Sequence, residues 1–172
     1  MKPKLLFLAM LFCFSATYAQ DNAYDIARNG SADDINKIIE KYPKAINYKN
    51  ASGHTPLILA CYSGNKEVVE VLVSHVKDIN ALSDNGTALM AATFKGNIEI
   101  SKLLLEHGAD VNATDLNRNT ALHHSIRFTN IDIIKLLMSY KADINLKNIE
   151  GFSPLDYAKR DKDDNVLKLL NK

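Results

Sequence analysis

Two adjacent histidines and one cysteine are the residues best suited to chemistry in this 172-residue sequence. His123 and His124 lie side by side in a helical pattern, whereas Cys61 lies in an apolar stretch. A histidine acts as a general base only beside a group that orients it, and neighbouring side chains on a helix diverge. A free cysteine is more often buried than reactive. We therefore predict no enzyme, with catalysis by His123, Asp115 or Cys61 as a remote alternative.

Motifs for cofactors and metals are absent from the sequence. There is no glycine-rich phosphate loop, no paired-cysteine motif and no His-x-x-x-His pattern for zinc. Lys and Arg total 21 against 20 Asp and Glu, so the net charge is +1. Binding to a nucleic acid needs many cationic contacts to phosphate, which this balance does not indicate. We expect no cofactor, no metal ion and no nucleic-acid partner.

The first residues have the pattern of an export signal. Lys2 and Lys4 precede an uncharged apolar stretch, and a small residue, Ala19, ends it. The apolar centre is shorter than the roughly 20 residues that span a bilayer. This order predicts a secretory signal peptide at 1–19, cleaved after Ala19, with an uncleaved anchor as the alternative. We then expect a periplasmic or secreted protein with no internal disulfide and no stable membrane insertion.

A period of about 33 residues organises the rest of the chain. Short helical patterns follow a Thr or Ser at intervals of 32, 33 and 33 residues, at Thr55, Thr87, Thr120 and Ser153. Thr and Ser are preferred N-caps, because their hydroxyl groups accept hydrogen bonds from the first backbone N–H groups of a helix. A small turn residue then leads to a second apolar helix, at Gly30, Gly64, Gly96 and Thr129. Such helices bury their apolar faces only against neighbouring repeats, so the pattern predicts an all-α stack.

The repeated motifs closely resemble those of the ankyrin repeat family. The resemblance rests on Gly53-His54-Thr55-Pro56-Leu57, Thr120-Ala121-Leu122-His123, Gly151-Phe152-Ser153-Pro154-Leu155 and Glu106-His107-Gly108-Ala109-Asp110-Val111-Asn112. It implies an ankyrin repeat solenoid over 20–172, made of about five helix-turn-helix modules with β-hairpin loops. The expected modules are an N-terminal cap at 21–46, repeats at 47–79, 80–111 and 112–144, and a C-terminal cap at 145–172.

The resemblance also implies structural roles for several residues. His123 takes the place of a neutral histidine that joins one loop to the next, and Cys61 takes the place of a small core residue. Thr129 replaces a turn glycine. In the middle of the stack, we expect Leu103 and Leu136 to lie on buried helix faces.

Ankyrin-like proteins bind partners through the hairpin tips and the exposed end of each first helix. Aromatic residues and Arg, which dominate protein-interface hot spots, recur at these positions. The predicted contact residues before the turns are Tyr62, Phe94, Lys95, Arg127, Phe128 and Arg160. Those in the loops are His54, Leu116, Asn119, Ile149 and Phe152. Packing of some rings onto the next repeat is the alternative.

The sequence therefore predicts a monomeric, non-enzymatic module that captures a protein through its concave face. Two versions of that role are immunity against a toxin and support of a periplasmic antioxidant system. A secreted effector that engages a host or competitor protein is the alternative from another class.

Overall fold

The computed structural model describes residues 19–170, which form helices joined by tight turns and loops. The predicted signal peptide lies outside the described residues, apart from Ala19. The helices are α1 (19–29), α2 (Ala32–Lys41), α3 (Pro56–Ser63), α4 (Lys66–Leu72), α5 (Ala88–Phe94), α6 (Ile98–Glu106), α7 (Ala121–Arg127), α8 (Ile131–Ser139), α9 (Pro154–Asp161) and α10 (Asp164–Leu170), with a 3-10 turn at Ala45–Asn47.

These helices pack in two rows. In the inner row α3, α5, α7 and α9 lie side by side, and in the outer row α2, α4, α6, α8 and α10 do the same. Each helix of the inner row also packs against the outer helix that follows it in the chain. The predicted all-α solenoid is confirmed, and one helix pair falls within each predicted module.

The predicted N-caps are also confirmed. Thr55, Thr87, Thr120 and Ser153 have extended backbones, and each hydroxyl accepts a hydrogen bond from the N–H three residues further along. Asparagines perform the same task for the outer helices. The side chains of Asn65, Asn97 and Asn130 cap α4, α6 and α8. Every helix start in the middle of the stack is therefore fixed by a polar side chain.

The turn between inner and outer helices uses a left-handed residue. Gly64 has φ +74° and Gly96 has φ +68°, and Thr129 takes the same place with φ +51°. Only glycine adopts this conformation without a steric cost, and a β-branched residue such as Thr is among the least suited to it. The replacement of glycine by Thr129 is confirmed, so this turn is strained.

A continuous apolar core runs between the two rows. The outer helices contribute fully buried side chains that include Leu104 and Leu137. The sequence-based expectation for Leu103 and Leu136 was wrong, because both are only partly buried. The leucines one position further along, Leu104 and Leu137, are the ones that fill the core.

Asparagine side chains tie the start of each repeat to the segment that leads into the next loop. In each case the Oδ1 atom of the first residue of a repeat accepts a hydrogen bond of 2.8 Å from a backbone N–H near the end of the same repeat. The three pairs are Asn47 with Lys77, Asn80 with Asp110, and Asn112 with Asp143. These bonds hold the loops in register and so fix the spacing of the residues on the inner face.

The loops fold back on themselves through single antiparallel bridges. Thr114 pairs with Thr120, and Ser83 pairs with Gly86. The Ser83–Gly86 bridge lies in the loop before Thr87, which is one residue shorter than its counterparts.

Candidate functional site

Three aromatic rings form a row along the inner helices. Tyr62 in α3, Phe94 at the end of α5 and Phe128 after α7 are 51%, 53% and 61% exposed. The Tyr62 and Phe94 rings stack with centroids 6.3 Å apart, and the Phe94 and Phe128 rings meet edge to face at 5.5 Å. We call these three residues the aromatic ladder. Its spacing follows from the repeat, because each module contributes one ring from the same helix end.

The ladder lies along a groove of about 680 Å³. Its other side is formed by the loops, where His54 Nε2 and Asn85 Nδ2 lie 3.2 Å apart and join two modules. The apolar part of the lining comes from inner-helix residues Ile58, Leu59, Met90 and Ala91. An apolar groove with polar groups along one side is the usual form of a binding site.

The charges at the groove are positive. Arg28 belongs to the lining, and no described acidic residue does. The Lys95 ammonium lies 4.9 Å from the centroid of the Tyr62 ring, close enough for a cation–π contact. The groove therefore combines exposed rings with cations.

A second group of rings lies at the end of the stack, and its central residue is buried. Tyr157 is 4% exposed, and its ring centroid lies 5.7 Å from that of Phe152 and 6.0 Å from that of His123. The Arg160 guanidinium lies 4.6 Å from the Tyr157 centroid. Together with Asn148, these residues form what we call the C-terminal cluster: His123, Asn148, Phe152, Tyr157 and Arg160.

Asn148 connects this cluster to the preceding loop. Its Nδ2 donates to Asn119 Oδ1 at 2.9 Å and to the Tyr157 hydroxyl at 3.1 Å. Asn119 is only 7% exposed, and its backbone N–H and side-chain amide both donate to the Asp115 carboxylate. This corrects the prediction that Asn119 contacts a partner, since its side chain is used within the fold.

His123 has the structural role that the resemblance implies. Its Nδ1 accepts from the Thr120 N–H at 3.0 Å, so Nε2 carries the proton that is donated to the Phe152 carbonyl at 3.2 Å. Burial lowers the pKa of His123, which favours this neutral ring. The prediction of a neutral imidazole that joins two loops is confirmed.

Cys61 is fully buried, and burial raises the pKa of its thiol. A thiol of this kind is a poor nucleophile, because the thiolate is the reactive form. His123 is also fully buried, and neither residue lines the groove. The enzyme alternative depended on their exposure and is therefore not supported.

The remaining predicted contact residues reach the surface. His54 is half-buried in the groove wall. Leu116 and Ile149 lie on neighbouring loops, which are joined by a 3.0 Å hydrogen bond from the Ile149 N–H to the Asn117 carbonyl. The exposed residues are Tyr62, Phe94, Lys95, Leu116, Arg127, Phe128, Ile149, Phe152 and Arg160.

Sequence reasoning missed part of the lining. Asn85, Met90 and His124 contribute to the groove, and so does Arg28. The signal for Arg28 was present in the sequence, because Arg28 precedes Gly30 by two residues as Tyr62 precedes Gly64. The other three could not be identified from the row before the turns, because they belong to loops or to the helix face behind it.

Two further tests concern metals and membranes. In the range 19–170, no three His, Cys, Asp or Glu side chains are placed to hold a metal ion. Over the same residues, no helix has the length and apolar character needed to cross a bilayer.

Comparison with protein families decides the relationship. The description "Ankyrin repeats (3 copies)" matches residues 24–115, more than half of the chain, and "Ankyrin repeats (many copies)" matches 104–158. The chain belongs to the ankyrin repeat family. Ankyrin repeats form protein–protein interaction modules, and these are generally not enzymes. The chain is accordingly a protein-binding module, and nothing in its described residues indicates catalysis.

Curated relatives of this ankyrin repeat chain include oxysterol-binding protein-related protein 1 of Rattus norvegicus and of Homo sapiens. They are 38% and 36% identical over an alignment of 77 residues, which covers 40% of this chain. The matched stretch is only 8% of each relative's length. The similarity is therefore confined to a small part of those proteins.

Proposed function

We propose that this ankyrin repeat protein is exported and that, as a monomer, it binds a protein partner in its groove and on its loop tips. The exposure of the aromatic ladder is the observation that carries the proposal. Rings of this size lose water-exposed apolar area when a partner covers them, which is the main favourable contribution to most protein associations. A row of three such rings along one groove favours a single extended binding surface.

The loop tips enlarge this surface. Leu116 and Ile149 are exposed apolar side chains on adjacent loops, and Phe152 is exposed nearby. Aromatic and apolar anchors surrounded by polar loop residues have the composition of a protein interface. A partner that fills the groove and contacts these tips would bury both sets of side chains.

Export is proposed from the first residues of the sequence. Cleavage after Ala19 would leave Gln20 as the first residue and would keep Ala23, Tyr24 and Ala27, which anchor α1 in the core. The mature chain would hold Cys61 alone, so its stability outside the cytoplasm would come from packing rather than from a disulfide.

Within this role we propose an immunity partner for a toxin or a support protein for an antioxidant system. A secreted effector remains the second candidate. Fractionation separates the two, because mature protein starting at Gln20 in the periplasm supports the first pair, and the same species in the culture supernatant supports the effector. Detection of the full chain in the cytoplasm alone would contradict export.

The names of the curated relatives do not change this proposal. The shared stretch is 8% of their length, which is too little to assign oxysterol binding to this chain. We therefore propose a protein partner rather than a sterol.

The direct test is capture from an envelope fraction with tagged protein. We expect wild type to retain a partner and the variant with Tyr62→Ala, Phe94→Ala and Phe128→Ala to lose it. Tyr48→Ala is the matched control, because Tyr48 is an exposed aromatic residue outside the groove lining. Equal capture by wild type and the three-alanine variant would remove the groove as the binding surface.

A further inference from the structure

We infer that the groove selects an extended acidic segment with apolar side chains at alternate positions. The inference rests on the proposed function and names the class of partner that the same groove would take. It is carried by two independent observations, which are the distribution of charge between the two helix rows and the spacing of the rings.

Among the central repeats, acidic helix residues are confined to the outer row. Inner helices α3, α5 and α7 contain no Asp or Glu. The corresponding outer helices α4, α6 and α8 contain Glu67, Glu70, Glu99, Glu106 and Asp132. In the middle of the stack the helical carboxylates therefore lie on the outer row, whereas Asp25 in α1 and Asp156 and Asp161 in α9 lie towards its two ends.

Two cations lie beside the groove. Arg28 is part of the lining and Lys95 extends over the Tyr62 ring, whereas the Arg127 guanidinium lies 6.0 Å from the Tyr157 centroid in the C-terminal cluster. The Arg28 guanidinium lies 3.6 Å from the Asp25 carboxylate, which is highly exposed. Exposed ion pairs of this kind contribute little, so Arg28 can exchange Asp25 for a carboxylate of the partner.

Asp115, which contacts the groove-lining residue His124, is already used within the fold. The Asp115 carboxylate accepts from the Asn119 N–H at 2.8 Å and lies 3.1 Å from His124 Nε2. The oxygens of Asp115 are thus occupied by partners within the fold, and Asp115 is not part of the groove lining. Charge complementarity favours a negatively charged occupant, which would gain both rate and specificity of association.

The ring spacing favours an extended conformation. Neighbouring rings of the ladder lie 6.3 and 5.5 Å apart. An extended chain advances about 3.3 Å per residue, so alternate side chains on one face recur every ~6.6 Å. Apolar side chains at alternate positions would each meet one ring, and acidic residues between them would face the cations.

An acidic peptide fits the groove better than a nucleic acid or the chain's own first residues. Nucleic acid also combines negative charge with rings, but its affinity depends on a long series of phosphate contacts, whereas the groove offers few cations. The chain's own first residues carry Lys2 and Lys4, whose charge is the same as that of Arg28 and Lys95. An acidic peptide has both the sign and the spacing that the groove requires.

The test uses synthetic peptides with the purified full chain. Three labelled peptides of about ten residues share alternate Phe and Leu, with Glu, Gln or Lys at the positions between. Fluorescence polarisation gives the affinity of each at low and high salt, and a single-stranded oligonucleotide of similar length is the fourth probe. We expect the Glu peptide to bind about tenfold more tightly than the Gln peptide and to lose this advantage at high salt.

Charge-reversal variants test whether the groove causes the preference for the Glu peptide. Lys95→Glu should reduce binding of the Glu peptide by about tenfold and leave binding of the Gln peptide nearly unchanged. Lys102→Glu is the matched control, because Lys102 is an exposed lysine of the same repeat but lies on outer helix α6. Equal losses in the two variants would overturn the assignment of this charge preference to the groove.

The remaining outcomes are also decisive. Equal affinity for the Glu and Gln peptides, tighter binding of the Lys peptide, or tighter binding of the oligonucleotide would each overturn the inference. The proposed function fails separately, when the three-alanine ladder variant captures the envelope partner as well as wild type does. A partner lost from the ladder variant but insensitive to salt and to Lys95→Glu would keep the function and reject the acidic class.

Discussion

The aromatic ladder and the C-terminal cluster lie in neighbouring parts of one stack, and each combines rings with nearby cations. In the ladder, about half or more of each side chain is exposed, and the rings contact one another along an open groove. In the cluster, Tyr157 is buried, its hydroxyl has a partner and Arg160 covers its ring. The difference shows that the type of a side chain does not by itself decide whether the side chain packs within the fold or stays exposed.

The position of each group within the repeat accounts for this difference. Ladder residues lie at the ends of inner helices, where the neighbouring loops leave the groove open. Tyr157 lies in the middle of α9, where the 148–152 loop of its own module folds against it. The last inner helix thus uses its aromatic residue to close the stack, whereas the aromatic residues at the ends of α3, α5 and α7 stay exposed along the groove.

The largest expected effect is that of Tyr157→Ala in the cluster. Loss of a buried aromatic side chain should lower the free energy of unfolding by about 3–5 kcal/mol, measured by urea unfolding. Tyr157→Phe is the control, because it keeps the ring and loses only the hydroxyl bond to Asn148, for about 0.5–1.5 kcal/mol. Wild-type stability in the alanine variant would show that the cluster does not hold the stack.

Asn148→Ala should have the next largest effect. Its Oδ1 accepts from the Glu150 and Phe152 N–H groups, and its Nδ2 binds Asn119 and Tyr157. Removing the amide leaves buried groups without partners, so we expect a loss of about 1–3 kcal/mol in urea unfolding. Asn117→Ala, on the exposed tip of the preceding loop, should change stability by less than about 0.5 kcal/mol. Equal losses in both variants would contradict the special role of Asn148.

The third prediction is a dependence of stability on pH through His123. Because burial lowers its pKa in the folded state, the unfolded chain binds the proton more readily below the ordinary value of 6.5. Stability should therefore be complete above pH 6.5 and decrease as the pH falls towards the folded pKa, with a slope of at most about 1.4 kcal/mol per pH unit. His123→Asn should be less stable at neutral pH and lack this slope. An unchanged slope in that variant would assign the pH dependence to other groups.

The smallest expected effect is a gain in stability at Thr129, which lies between the aromatic ladder and the C-terminal cluster. Thr129 follows Phe128 and has a left-handed backbone, so Thr129→Gly should raise thermal stability by about 0.5–1 kcal/mol after the entropy of glycine is included. The reverse change one repeat earlier, Gly96→Thr, should lower it, since a Cβ there would lie 3.2 Å from Asn130 Nδ2. A loss of stability in Thr129→Gly would show that the threonine side chain contributes more than its strain costs.

Local signals in the sequence predicted most of the fold. The caps at Thr55, Thr87, Thr120 and Ser153 and the turns at Gly64 and Gly96 depend on backbone hydrogen bonds and φ angles within a few residues. Such features recur with the 33-residue period, and this spacing together with the resemblance to ankyrin repeats predicted the series of helix pairs. The ladder was predicted for the same reason, because it too repeats with the module.

Contacts between repeats could not be predicted in the same way. Asn119 is a polar residue in a loop, a type and place that indicate exposure. Its burial is explained by a contact that the sequence does not show, with Asn148 29 residues away. The expectation for Leu103 and Leu136 failed because a one-residue shift on a helix turns a side chain by about 100°. The bonds that Asn47, Asn80 and Asn112 accept come from N–H groups about 30 residues away, so they depend on how the chain folds back over a whole repeat.

The central claim is that the cluster holds the stack together and the ladder does not. It is tested most directly by comparing the unfolding free energy of the Tyr62→Ala, Phe94→Ala, Phe128→Ala variant with that of Tyr157→Ala. Because the ladder rings are exposed, we predict that removing all three costs less stability than removing Tyr157 alone. A loss in the three-alanine variant equal to or greater than that of Tyr157→Ala would contradict the account, since the ladder would then be part of the packing that holds the stack together.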